Sequence, residues 1–483
     1  MRPDASRTIR LAARAARASE SELEHALARA TTHLRVQHDL AGALPCAELL
    51  AATLLRGPGR LIIDPTGIPA SSLARFQHLA LAIRPGHPLE LGPPAENATQ
   101  IAIGERDAEI AVIPDNHGAR VTRGTRPAQQ RPPSILGVLF AAALAAGEAF
   151  KDAARISDEH AVRHQNLAFC PVTLTTDLTT AAAVPTGWRP EITLAGIGAI
   201  GSAHAILLAG LTGPGGIVLI DRQGYAAENL GTYTLGEHAD VEAATPKVRL
   251  AERALTGWRH HPHDGDIATA LTAVDAGRLP WTPIVLAGLD NHDARRETQG
   301  LQPDRLLDAA TGDTAVGLRD TRPDGPCLHC MLKTPAARPS PTKALTDLGI
   351  PLALAKEPGE AVVTDQIIAH ASSERARDLL RSQRGTPICG LLRAAGLTDV
   401  DDDDYMPSVP FVSQQAACLT VGRLLAIQLG IDAGLPNFFQ YDTLIGPHRA
   451  IAQHRHADPA CACQQRAEII SVVRDERRRG PRA

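Results

Sequence analysis

Residues 192–202 read Ile-Thr-Leu-Ala-Gly-Ile-Gly-Ala-Ile-Gly-Ser, and residues 217–221 follow as Ile-Val-Leu-Ile-Asp. An apolar strand that runs into a G-x-G-x-x-G turn (Gly196, Gly198, Gly201) and then a helix over 202–211 leaves few options for the fold. The turn needs backbone without Cβ atoms, and it aims the amides at the helix N-terminus toward an anion such as a nucleotide phosphate. A second apolar strand ending in Asp221 places a carboxylate where a ribose hydroxyl would lie. The glycines alone would also suit close helix–strand packing. The ordered series of strand, turn, helix, strand and acid points to a nucleotide.

The residues beyond Asp221 favour ATP over a dinucleotide. Asn229 lies in Glu-Asn-Leu, Lys247 closes Ala-Thr-Pro-Lys ahead of a helix over 248–255, and 283–291 reads as a strand ending in Asp290-Asn291. Each has a plain structural use, as turn former, solvated helix start or polar strand end. Together they supply a cation for a triphosphate, an acid to hold magnesium near the departing pyrophosphate, and polar groups for the ribose. An NAD(P)-dependent oxidoreductase, which needs only the turn and Asp221, is the rival reading.

The cysteines carry a separate signal. Cys327-Leu-His-Cys330 and Cys461-Ala-Cys463 are two close-spaced pairs, and four thiolates can close a tetrahedral structural zinc site. Chance pairing and a thiol redox couple are the alternatives. His329 is expected on an exposed loop. His260, His261 and His263 are expected in a polar loop after a helix and not as metal ligands. Cys46, Cys170 and Cys418 sit in apolar runs and suit burial as small hydrophobes. Cys389, in Thr-Pro-Ile-Cys-Gly, lies beside a proline turn ahead of a helix with Arg384 nearby. Such surroundings stabilise a thiolate and make it a candidate nucleophile, with a packing role as the alternative.

Over roughly 186–330 and again over 406–483, this pattern resembles the superfamily of ThiF, MoeB and the ubiquitin-activating enzymes. The resemblance implies an ATP site built from Gly196, Gly198, Gly201, Asp221, Asn229, Lys247, Asp290 and Asn291, with Mg2+ near Asp290. It implies a structural Zn2+ on Cys327, Cys330, Cys461 and Cys463. It also implies adenylation of the C-terminal glycine of a ubiquitin-like protein, with Lys247 and Asp290 as catalytic residues. Thioester-forming members carry their cysteine in an insertion after the first zinc pair, which here is 331–405 with Cys389, and they pass the acyl group to a conjugating enzyme. Two positions depart from the family: its second aspartate is Gln223, and its arginine after Asn-Leu is Thr232. Arg10, Arg14 or Arg17 on the N-terminal helix are candidates to replace that arginine. A thioester-free enzyme acting on a sulfur carrier or peptide, and a non-catalytic scaffold, remain alternatives.

The first third of the chain reads as a further α/β layer, with strands at 60–64, 100–104 and 108–113, a helix over 135–156 and no Gly-rich turn. The expected fold is therefore α/β: a Rossmann-like adenylation domain with an N-terminal, inactive adenylation-like half and a helical cysteine-bearing insertion. Expected boundaries are 1–157, a connection 158–187, the nucleotide-binding part 188–335, the insertion 336–405, and the returning segment 406–483. The insertion opens on a proline-rich linker, carries helical patterns near 351 and over 367–382, and ends in the acidic run 399–404. At 44% hydrophobic and 21% charged, the 483-residue chain is globular with more than one core. A net charge of −4 and an aromatic content of 3% argue against nucleic acid as a partner. The basic tail 474–482 reads as solubilising. With no apolar signal core and a longest apolar helix too short for a bilayer, a cytoplasmic protein with reduced thiols is expected. It would be a monomeric pseudo-dimer or a homodimer.

Overall fold

The computed structural model describes residues 5–86, 89–332, 345, 348–351, 362–382, 384–385 and 409–480. It divides into two compact units, residues 1–331 with 407–483, and residues 332–406.

The larger unit is built on two sheets. The first combines β1 (Thr31–Val36), β2 (Arg60–Ile63), β3 (Glu90–Leu91), β4 (Thr99–Ile103), β5 (Ile110–Asp115), β6 (Gly118–Thr122) and β7 (Asn166–Phe169). The second combines β8 (Glu191–Ala195), β9 (Gly216–Asp221), β10 (Arg259–Asp264), β11 (Ile284–Ala287), β12 (Arg305–Gly312), β13 (Ala315–Thr321), β14 (Phe438–Asp442) and β15 (Ile451–Gln453). Their orders match: β3-β2-β1-β4-β5-β6-β7 in one and β10-β9-β8-β11-β12-β13-β14-β15 in the other. In each, five neighbouring strands run parallel and the remainder antiparallel. Strand order therefore reverses beside β1 in one sheet and beside β8 in the other, which opens a crevice between β1 and β4 and between β8 and β11. The central strands are apolar because helices cover both faces; all six residues of β5 are buried.

Two nineteen-residue helices, Ile135–Ala153 and Pro410–Gln428, occupy corresponding places, one between β6 and β7 and the other between β13 and β14. Each lies on its own sheet and they pack on each other, with the Phe150 and Phe411 rings 5.3 Å apart. Helices apolar on all sides belong in a core, and nearly every residue of both is buried. Ala43–Leu55 flanks the first and Ala199–Leu211 the second. A Cβ on Gly422 would stand 2.5 Å from the Pro171 carbonyl oxygen, so the segment after β7 rests directly on the second helix.

Three expectations need correction. Residues 260–263 form part of β10, paired with β9, and are not a loop. The polar sequence and Pro262 hid the strand, which an edge position tolerates. The basic tail is the helix Ala467–Arg479, held by Arg477 to Asp275 and Arg478 to Asp304. In the smaller unit the helices Asp365–Ala369 and Glu374–Ser382 bury Ile367, Ile368 and Leu380. The span expected as one helix over 367–382 is thus two, broken at 370–373. Cys389, the proline-rich linker 333–341 and the acidic run 399–404 lie outside the described residues. Arg384, expected to stabilise the Cys389 thiolate, is ion-paired with Asp365.

Candidate functional site

The Gly-rich turn follows β8 at the reversal point of the second sheet and leads into Ala199–Leu211. Gly196 has φ +85°, and a Cβ there would lie 2.8 Å from Leu289 Cδ2. A Cβ on Gly201 would lie 2.0 Å from the Gly196 carbonyl oxygen, so this glycine lets helix and turn touch. Gly198 differs: its nearest neighbour would be the Tyr233 hydroxyl at 3.6 Å, and its φ of −78° is ordinary. A Cβ there would make only ordinary contacts, so the packing of the protein itself does not require a glycine at this position.

Asp221 ends β9 and fixes the turn. Its Oδ2 accepts from the Ile197 amide at 2.7 Å and its Oδ1 from the Gln223 amide at 2.9 Å. Burial raises its pKa, while the nearby Lys247 charge opposes that rise. Lys247 is only 3% exposed. The Gly224–Pro246 bridge and the bond from the Lys247 amide to the Gln223 carbonyl set its backbone beside the strand end. Its ammonium donates to Gln223 Oε1 at 2.6 Å and stands 5.0 Å from the centroid of the Tyr233 ring. Gln223, where the family has an acid, thus acts as a neutral acceptor for this lysine. Burial lowers the Lys247 pKa, with Asp221 and Asp290 opposing the effect.

Asn229 is buried, and its Oδ1 accepts from the Ala226 amide, closing the short helix Ala227–Leu230. Asp290 and Asn291 follow β11 on the surface. Asn291 caps the helix His292–Glu297 through Ala294 N–H and donates to Asp290 Oδ1 at 3.2 Å. The charge of Asp290 reaches both Asp221 and Lys247. The structure therefore gathers Gly196, Gly198, Gly201, Asp221, Lys247 and Asp290 around one crevice, with Asn229 and Asn291 shaping its edges.

Thr232 is 1% exposed and brings no charge. Among the arginines proposed to compensate, Arg10 pairs with Glu20, Arg14 with Asp313, and Arg17 caps the end of its helix in a left-handed conformation. Arg295 donates to the Leu289 carbonyl at 2.7 Å and its charge reaches Asp290, and a second arginine whose charge reaches the crevice is Arg7. Its charge acts on Lys247, lowering that pKa further, and on the buried Tyr233. Arg7 and Tyr233 escaped the sequence reading. Arg7 lies one turn before Arg10, and only helix packing selects between neighbouring turns.

The matching crevice of the first sheet is closed. Gln37 follows β1 where Gly196 follows β8, and its side chain lies against Gly104, where an added Cβ would come within 2.5 Å of it. Its Oε1 accepts from the Glu105 amide.

Cys327, Cys330, Cys461 and Cys463 converge, with all four sulfurs within 4.8 Å of one another. The Cys327–Cys330, Cys327–Cys461 and Cys330–Cys463 separations are 3.7, 3.6 and 3.7 Å. They are too long for disulfides, and a zinc ion with ~2.3 Å bonds to four tetrahedral sulfurs would set edges near 3.8 Å. The Asp458 amide and the Gln464 side chain donate toward Cys330 and Cys463. The donor set and its spacing fit zinc. His329 is exposed. His260 and His263 bond Leu255 O and Thr269 Oγ1 within β10 and its surroundings. Cys46, Cys170 and Cys418 are buried.

Residues 189–463 match the ThiF family. The chain belongs to that family. No curated protein matches it. Among solved structures, Escherichia coli MccB with succinimide is similar at 14% identity over 57% of this chain and 66% of that one, TM-score 0.34. Escherichia coli MccB with MccA-N7isoASN is similar at 13% identity over 75% and 99%, TM-score 0.37. PaaA is similar at 17% over 27% and 40%, TM-score 0.22. The chain thus spans just under two thirds of the length of the first of these, and TM-scores this low carry no argument here. Among the described residues of this ThiF-family chain, no helix is long and apolar enough to cross a membrane.

Proposed function

We propose that this ThiF-family protein is an ATP-dependent adenylating enzyme acting on the C-terminal glycine carboxylate of a ubiquitin-like protein. One observation carries the reading: the buried Lys247 ammonium, held by Gln223 at 2.6 Å, stands 5.0 Å from the centroid of the Tyr233 ring beside the Gly-rich turn, and the charges of Arg7 and Asp290 reach the same lysine. Cations held together, one of them buried, suit a polyanion. A carboxylate oxygen of the substrate attacks the α-phosphorus, the bond to the β-phosphate oxygen breaks, and pyrophosphate leaves with the acyl-adenylate remaining. Lys247 and Arg7 neutralise charge on the phosphates, the turn amides at Gly196–Gly198 orient them, and Asp221 keeps those amides in place. Magnesium, held by Asp290, would supply further neutralisation of the departing pyrophosphate. The chain offers positioning and charge and no covalent group at this step.

Cys389 then takes the acyl group as a thioester, releasing AMP, and hands it to a conjugating enzyme. The four clustered cysteines hold a structural zinc. The first half, its crevice filled by Gln37, serves as the inactive partner, so one chain carries a complete pseudo-dimer and works as a monomer in the cytoplasm.

The test is ATP–pyrophosphate exchange with candidate ubiquitin-like proteins, followed by non-reducing gels of wild type and Cys389→Ala. Substrate-dependent exchange with a thiol-sensitive adduct in wild type alone supports the whole reading. Exchange with no adduct removes Cys389 and leaves a thioester-free adenylating enzyme. NAD(P) binding without exchange, or partner binding indifferent to ATP, overturns adenylation itself.

A further inference from the structure

The loop that completes the nucleotide crevice is held from the other half of the chain. Residues 230–236 carry Tyr233, whose ring lies beneath the Lys247 ammonium. They run beside the first turn of Ala199–Leu211, where the Thr234 amide donates to Ser202 Oγ at 3.0 Å. Three carbonyls of this loop point at one guanidinium. Arg56 Nη1 donates to Leu230 O at 2.8 Å, and Nη2 donates to Thr234 O at 3.1 Å and Gly236 O at 2.9 Å. Arg56 stands at the C-terminal end of Ala43–Leu55, in the first half, and is 4% exposed. One turn earlier, Thr53 accepts from Gln414, whose amide also reaches Thr234 Oγ1.

The corresponding place in the second half is the end of Ala199–Leu211, at Thr212. Among the described residues its hydroxyl bonds only Leu208 O and Gly213 O, its own neighbours. The clamp therefore runs in one direction, from the half with the filled crevice to the half with the open one. A buried cation held by three carbonyls, with the Tyr225 side chain and the Glu237 charge also favouring its charged form, meets several oriented dipoles at once, and a planar fork reaches three carbonyls in a way that a single ammonium cannot.

We propose that Arg56 is a positioning residue of the nucleotide site, supplied by the first half to fix residues 230–236 and, through Tyr233, the Lys247 ammonium. This rests on the ATP reading of the crevice. Arg56 touches no phosphate; it sets the geometry of the groups that do. The inactive half would on this account have kept a duty after losing its own crevice, which is to order the loop of its neighbour.

The full-length protein tests this with two readouts, ATP affinity and amide hydrogen exchange along 230–236. Arg56→Ala should weaken ATP binding at least tenfold and speed exchange in that segment while exchange in β8 and β11 stays as in wild type. Guanidinium ion added to Arg56→Ala should restore both readouts, methylammonium neither, and Thr212→Ala should change neither. Should Arg56→Ala fail to fold, Arg56→Lys takes its place, with the same local loss at smaller amplitude. Unchanged ATP affinity with an intact fold, or exchange raised evenly across both sheets, would overturn the proposal. If wild type binds no ATP the reading of the crevice fails, and exchange with guanidinium rescue then decides the role of Arg56 on the loop alone.

Discussion

Gly198 and Gly201 look equivalent in the motif and differ in what the fold asks of them. Gly201 cannot carry a Cβ, because the Gly196 carbonyl oxygen would lie 2.0 Å away. Gly201→Ala should lower stability by about 3 kcal/mol or more, read by urea denaturation. Gly198→Ala meets nothing closer than 3.6 Å, so stability should change by less than about 0.5 kcal/mol. On the ATP reading its methyl would crowd the turn amides that orient the phosphates, and ATP affinity should fall by about tenfold or more, ~1.4 kcal/mol. Equal affinity in Gly198→Ala would place the phosphates elsewhere. Lys247 offers a pH signature as well. Burial lowers its pKa, so the protonated form that attracts phosphate is lost at a lower pH than the ~10.4 of free lysine. ATP affinity in wild type should decline with rising pH before ordinary lysines titrate, and Lys247→Arg should remove that decline. At this scale the motif residues were legible in the chain, whereas Arg7 and Tyr233 were not. Nothing in their local sequence separates Arg7 from Arg10, and a tyrosine beneath a lysine becomes visible only when two loops meet.

Among the elements, Pro410–Gln428 joins the end of the chain to the second sheet. Arg423 on that helix and Asp320 on β13 form an ion pair at 2.8 Å with both side chains fully buried. Arg423 also donates to Pro436 O, and Asp320 also receives Arg305. Burying one such charge without its partner costs about 3–5 kcal/mol. Asp320→Ala should lose about that much, and pairing it with Arg423→Met should recover most of it, as urea denaturation of the two variants would show. The cysteine cluster makes a second connection, from the helix Leu328–Met331 to the segment ahead of Ala467–Arg479. Elemental analysis should find one zinc per chain, and Cys463→Ser should lower both metal content and melting temperature; full-length protein free of metal would refute the assignment. The apolar runs behind β5, β8, β9 and β11 were readable because a strand buried on both faces is apolar throughout. β10 was not, since an edge strand can carry Arg259, His260, His261, Pro262 and His263 with few apolar signals.

Across the molecule the two halves meet through the largely apolar helices Ile135–Ala153 and Pro410–Gln428, and within the second half one buried histidine reports on the packing of Pro410–Gln428 against Ala199–Leu211. His204 on Ala199–Leu211 is fully buried with Nε2 2.5 Å from Thr420 Oγ1, on the helix Pro410–Gln428. Burial lowers its pKa from 6.5 to about 3. The unfolded chain therefore takes up a proton that the folded one refuses. The stability this histidine permits is fully present above about pH 6.5 and drains away as pH falls toward 3, at about 1.4 kcal/mol per pH unit. Denaturation midpoints at pH 7 and pH 5 should diverge in wild type and diverge less in His204→Gln, which keeps His164, whose pKa burial also lowers to about 3. A matching divergence in the variant would assign the acid sensitivity to other groups. Local chemistry written into consecutive residues, such as the Gly-x-Gly-x-x-Gly turn, the strand ending in Asp221 and the paired cysteines, dictates its own conformation, and for that reason the fold class and most of the crevice were legible. Which half keeps an open crevice, which arginine reaches it, and which residue holds the 230–236 loop depend on side chains far apart in the chain, as Arg56 and Gly236 are by 180 positions. Their meeting is fixed only when Ile135–Ala153 and Pro410–Gln428 bury their apolar surfaces against each other, an interaction without direction along the chain and hence without a local signature.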